Sequence, residues 1–144
     1  MLLKVISILL LSLISSWCLG QSNNSPNIDL NQQNIGKSLF KKFKGGDLKS
    51  TYLGKISDTS GKVRFYVVTE FMRFRADIVY HGQSKLIFYN SSKKVNAQYY
   101  FDMPEELPFK LESNTLYFHD GNEKLSLLTL QIGEQLPKHI FNSY

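Results

Sequence analysis

The run Val63-Arg64-Phe65-Tyr66-Val67-Val68-Thr69-Glu70-Phe71, continued by Met72-Arg73-Phe74-Arg75-Ala76-Asp77-Ile78-Val79-Tyr80, decides the fold. In its first half Val63, Phe65, Val67, Thr69 and Phe71 alternate with Arg64, Tyr66, Val68 and Glu70, a period of two that sets one side of a strand into a core. At Phe71-Met72 the phase changes, and Met72, Phe74, Ala76, Ile78 and Tyr80 become the apolar set, opposed by Arg73, Arg75, Asp77 and His81. One extra residue in a ladder exchanges the two faces, so this change predicts a bulge or a strand boundary. His81-Gly82-Gln83 then ends the run.

Outward from this run the punctuation is that of a β protein. Residues 49–57 read as a strand leading into the turn Asp58-Thr59-Ser60-Gly61. Residues 84–89 and 94–101 form a hairpin around Asn90-Ser91-Ser92-Lys93, and 103–108, with two prolines, make a rigid connection. Residues 109–111 and 116–118 flank a turn at Glu112-Ser113-Asn114, and a further turn follows at Asp120-Gly121-Asn122. The stretch 125–132 is apolar on both faces, which predicts a strand covered on each side. Seven or eight short antiparallel strands predict a small barrel or sandwich.

Before the first strand, Asn34 is placed to cap a short helix running to Lys44, with Ile35, Leu39, Phe40 and Phe43 on one side and Lys37, Lys41 and Lys44 on another; Gly45-Gly46 stops it. Such a helix either packs against the sheet or lies weakly on an anionic membrane surface. Residues 21–33, rich in Asn, Gln and Ser, read as a flexible leader. The expected organisation is therefore a signal peptide over 1–20, a leader over 21–33 and one β-rich domain over 34–144.

The signal peptide rests on Lys4, an apolar run over 5–14, and the small Cys18 and Gly20 before polar Gln21. Bulky Trp17 stands where lipoprotein processing wants a small residue, which weighs against acylation of Cys18. Cleavage after Gly20 removes the single Cys and the single Trp. The mature chain then has no disulfide, thiolate nucleophile or zinc thiolate, and its 124 residues must be held by an apolar core. The expected location is secreted, periplasmic or cell-envelope. Eight Tyr and ten Phe against nine Gly and four Pro suit strands better than low-complexity chain. The formal charge of +5 falls to +4 without Lys4, too dilute for a nucleic-acid binder.

The order of elements, and in particular Leu107-Pro108-Phe109-Lys110-Leu111 through Asn114-Thr115-Leu116-Tyr117-Phe118, resembles the late strands of short bacterial lipocalin-like, or calycin, secreted proteins. That resemblance implies a small ligand-binding barrel.

Enzyme signatures are absent: there is no Gly-x-Ser-x-Gly, no phosphate loop and no His-Glu-x-x-His, and His81, His119 and His139 lack metal-ligand spacing. His119-Asp120 is the best acid–base pair, yet Asp120-Gly121 reads first as turn chemistry. Asp120-Gly121-Asn122-Glu123 lacks the spacing and ligand number of a calcium loop. No enzyme activity, metal or cofactor is expected. Arg64, Tyr66, Arg73, Arg75 and Tyr80 are the candidate ligand-binding residues: turned inward they would hold a carboxylate or phosphate by charge-assisted hydrogen bonds, and turned outward they form a solvent stripe. Tyr89, Tyr100 and Tyr117 alternate with core positions and are the candidates for a surface that recognises another molecule. The expected function is a non-enzymatic binding module for a small apolar or amphipathic, anionic ligand of lipid-like chemistry. The alternative is an envelope-associated module that binds a protein through the tyrosine-rich face.

Overall fold

The computed structural model describes residues 26–120, 126–141, 143 and 144. The expected signal peptide, Cys18, and Gly121, Asn122 and Glu123 of the last turn lie outside them. Among the described residues the chain is mainly β, with two antiparallel sheets and two single 3-10 turns, at Gln32–Asn34 and Pro104–Glu106. The first sheet is a meander of β1 (Ser38–Phe43), β2 (Gly46–Ser57), β3 (Val63–Ala76), β4 (Val79–Asn90) and β5 (Val95–Phe101), each strand beside the next. The second is β6 (Lys110–Glu112), β7 (Thr115–His119) and β8 (Leu127–Gln131). The sheets do not close into a barrel.

One core joins them. Leu53, Ile56, Phe65, Val67, Leu86, Phe88, Tyr99 and Phe101 from the inner face of the first sheet meet Leu116 and Phe118 of β7 and Ile132 and Ile140 beyond it. Phe88 stands edge-on to Phe65 and Tyr99, with ring centroids 6.0 and 5.7 Å apart. A second, smaller cluster lies on the outer face, where Tyr52, Val68, Ile87 and Tyr89 are covered by Ile28 and Leu30. Val67 and Val68 are therefore both fully buried although they point to opposite faces.

Four expectations need correction. The helix over 34–44 is a strand: β1 pairs with β2 in register from Ser38↔Thr51 to Phe43↔Gly46, and the glycine pair makes the hairpin, with Gly45 at φ +89°. Gly46 leaves no room for a Cβ, which would stand 2.1 Å from the Arg73 carbonyl oxygen and 2.8 Å from the Phe43 ring. The part of the 21–33 stretch that is described is docked, not a free leader, because Ile28 and Leu30 cap the outer cluster and the Asn27 amide donates to Glu70 at 3.2 Å.

The phase change at Phe71-Met72 is neither bulge nor boundary. β3 runs unbroken and pairs with β4 without a shift from Phe65↔Asn90 to Ala76↔Val79; the reversal comes at Asp77-Ile78, with Asp77 at φ +58°. The apolar side changes because the cover changes: past Phe71, Met72 stands level with Leu48 on the outer face, and Phe74 stacks on His81 at 5.6 Å. The bulges fall in β2, at Tyr52/Gly54 and Ile56/Ser57, and between β4 and β5 at Phe88/Tyr89. Lastly, β8 is not covered on both sides. It is an edge strand paired with β7 alone, with Leu127 and Leu128 exposed.

Turn chemistry follows the sequence closely. The Asp58 carboxylate accepts from the backbone of Ser60 and Lys62 and from the Ser60 hydroxyl, the first cause of its lowered pKa. Asn90 plays the same part toward Ser92 and Lys94, and Ser113-Asn114 turn with φ of 47° and 60°. The expected rigid connection is the Pro104–Glu106 turn, where Glu106 accepts from the Met103 backbone.

Candidate functional site

The register of the first sheet lays out its inner face as rows. Ser38, Thr51 and Thr69 stand side by side on β1, β2 and β3, and the Ser38 and Thr51 hydroxyls are 2.7 Å apart. The next row is Phe40, Lys49, Phe71, Ser84 and Phe101. Lys49 Nζ lies 5.8 Å from the centre of the Phe40 ring, within cation–π reach. Ser84 Oγ is fully buried and has no hydrogen-bond partner among the described residues. The third row, Lys42, Asp47, Arg73 and Gly82, carries an Arg73–Asp47 ion pair at 2.6 Å.

Over the first two rows lies a cleft of about 390 Å³. Its floor includes Ser38, Lys49, Thr51, Thr69 and Phe71, and the connection 104–109 closes it from the other side with Glu105, Leu107 and Phe109. His119, at the end of β7, stacks on Phe109 with 4.2 Å between ring centroids and completes the rim. The space is thus bounded by hydroxyls and one ammonium on the sheet and, opposite, by apolar and aromatic groups with the Glu105 carboxylate among them. That combination can hold the polar head of a small molecule against β2 and β3 and its apolar body against Leu53, Leu107 and Phe109.

The five candidate ligand residues do not converge there. Arg73, Arg75 and Tyr80 gather at the far end of the β3–β4 hairpin, where Arg73 lies over the Tyr80 ring at 5.8 Å and Arg75 donates to the Asp77 carbonyl at 2.9 Å. Arg64 lies nine residues back along β3, roughly 30 Å for an extended chain. There it donates to the Glu134 carbonyl and lines a separate recess with Asp58 and Asn114. Tyr66 is on the outer face against Tyr52, ring centroids 6.4 Å apart. The pKa of Arg73 is raised, first by its hydrogen bond to Asp47.

Nor do the three tyrosines form one stripe. Tyr89 is buried in the outer cluster, and burial, followed by the charge of Glu70, raises its pKa. Tyr100 is on β5, stacked on Tyr144 at 6.2 Å, whereas Tyr117 is on the second sheet under Lys110 at 5.3 Å. The Asp120 backbone N–H donates to the Ser126 carbonyl as a turn residue does. Among the described residues no group of three or more His, Cys, Asp or Glu could hold a metal ion, and no helix is long and apolar enough to cross a membrane.

Lys49, Thr51 and Thr69 were not singled out from sequence because they come together only through the β1–β2–β3 register. The available signal was Gly45-Gly46 between two runs that alternate, a hairpin pattern. Neither family models, curated proteins nor solved structures provide a match to this chain.

Proposed function

We propose that this protein is a non-enzymatic binding domain, exported to the periplasm, envelope or exterior, that holds a small amphipathic anionic molecule in the cleft over β2 and β3. The observation that carries this reading is the composition of the cleft walls: Lys49 with a row of three hydroxyls on one side, Leu107 and Phe109 beside Glu105 on the other. An ammonium and several hydroxyls meet a carboxylate, sulfate or phosphate head by charge-assisted hydrogen bonds, and the aromatic wall takes the chain or ring attached to it. The lipocalin-like reading of the sequence enters here as ligand carriage between two sheets. Export rests on the signal-peptide reading of residues 1–20.

Titration with the amphipathic anion anilinonaphthalene sulfonate, followed by displacement with dodecanoate, tests the proposal. Saturable fluorescence that dodecanoate displaces is expected, and Lys49→Ala or Thr69→Val each weakens binding about ten-fold, the worth of one good hydrogen bond. Arg64→Ala, in the separate recess at the start of β3, leaves it unchanged. Non-saturable fluorescence, or loss on Arg64→Ala with none on Lys49→Ala, overturns the assignment.

A further inference from the structure

The end of the first sheet away from the shared core has a composition of its own. β4 meets β5 only from Ser84 onward, so residues 79–83 have β3 as their strand neighbour and the β3–β4 hairpin projects past the rest of the sheet. At its tip Ile78 is 78% exposed, Val79 54% and Tyr80 60%. The β1–β2 turn lies alongside, held by a 2.7 Å hydrogen bond from the Arg75 backbone to the Gly45 carbonyl, and it brings exposed Phe43 to the same end.

The cations collect there too. Residues 41–47 and 71–83 contain Lys41, Lys42, Lys44, Arg73 and Arg75 against Asp47 and Asp77 alone. Their net charge of +3 is the larger part of the chain's +5. Of these cations, Arg73 is the one that forms an ion pair among the described residues. The Arg73 row stands four residue levels behind the turn, roughly 13 Å along an extended hairpin. Ile78 and Val79 beside the single acid Asp77, with Arg75 level with Tyr80 just behind them and Arg73 and the β1–β2 lysines further back, match the layering of an anionic bilayer, with hydrocarbon first and the phosphate plane behind it.

We propose that the β3–β4 tip and the adjoining β1–β2 turn dock this protein onto an anionic phospholipid surface, Ile78, Val79 and Tyr80 entering the interface and Lys41, Lys42, Lys44 and Arg75 meeting the headgroups. A second copy of the chain is a poor occupant, because two ends of +3 repel. The docking site is separate from the cleft of the preceding section and stands without it.

Co-sedimentation of the purified protein with vesicles tests this directly. Vesicles of equal parts phosphatidylglycerol and phosphatidylcholine are expected to carry the protein down, with pure phosphatidylcholine leaving it in solution. The double variant Ile78→Asp/Val79→Asp, which alters exposed side chains only, loses at least ten-fold in partitioning while its thermal unfolding stays unchanged. Lys42→Glu/Arg75→Glu also loses at least ten-fold, since each cation near an anionic surface counts for about five-fold, and added salt weakens the wild type. Four results overturn the proposal: no sedimentation with either vesicle, equal sedimentation with both, wild-type partitioning by the tip variant, or a dimer in sedimentation velocity that the tip variant abolishes. Lys49→Ala impairs the dye titration and not the vesicle partitioning, so the two assignments fail separately.

Discussion

Tyr52 is 1% exposed between Val68 of the neighbouring strand and the docked segment that carries Ile28 and Leu30. Burial, then the neighbouring Tyr66, push its phenol up from 10.0 to about 12. Between those values the unfolded chain has released a proton that the folded chain still holds, so stability is intact below about pH 10 and falls as the pH rises toward 12. Tyr89 is raised in the same direction by burial and by Glu70, and Tyr99 by burial. The expected result is a urea midpoint that is flat up to about pH 9 and drops steeply from about pH 10 to 12. Tyr52→Phe makes that drop shallower, and an unchanged slope in the variant would assign the alkaline loss to other groups. Beside these phenols, the buried Glu70 carboxylate is satisfied by Ser50 and Asn27 at 3.2 Å each and by Lys85 at 3.5 Å, so the outer cluster is closed at a polar end.

At the scale of elements, the strands that could be read from sequence are those whose turns carry their own chemistry. Asp58, Asn90 and the Ser113-Asn114 pair reverse the chain through side-chain hydrogen bonds or positive φ, and each reversal was legible without knowledge of the rest. Residues 35–43 were not legible. Ile35, Leu39, Phe40 and Phe43 match a helical spacing, while Leu39 and Phe43 on one face and Phe40 on the other equally suit an edge strand, and only pairing with β2 chooses between them. The cleft was hidden for the same reason, since Lys49, Thr51 and Thr69 are ordinary strand residues until Ser38 is laid beside them. Polar composition likewise concealed the docked segment, where two apolar residues among Asn, Asp and Gln do the covering. Ile28→Ala and Leu30→Ala are each expected to cost about 2–4 kcal/mol in urea unfolding, as buried truncations do. Costs within a few tenths of a kcal/mol would restore the leader reading.

The molecule as a whole depends on how two sheets of unequal size hold together. β6 and β7 are short, β8 is an exposed edge, and the second sheet could not bury a core by itself. Its attachment has an apolar part, Leu116 and Phe118 set among Phe88, Tyr99 and Phe101, and a polar part at the sheet margin. There Asn114 faces Ser57 across the two sheets: the Ser57 backbone N–H donates to Asn114 Oδ1 at 3.2 Å, and Asn114 Nδ2 donates to the Ser57 carbonyl at 2.7 Å. Beyond the second sheet, the Tyr99 hydroxyl donates to the Pro137 carbonyl at 2.5 Å and ties the C-terminal segment to β5. Since most of the first sheet's inner core is completed by the second, the sheets should unfold together in one transition. Asn114→Gly keeps the backbone freedom that φ +60° requires and removes both side-chain hydrogen bonds, at an expected cost of about 1–3 kcal/mol. Leu116→Ala should cost about 2–5 kcal/mol. In both variants the urea midpoint should fall with the slope preserved, whether followed by far-ultraviolet circular dichroism or by tyrosine fluorescence. Two separated transitions in either variant would mean that the five-stranded meander stands without its partner sheet, and that the cleft between them opens before the molecule unfolds.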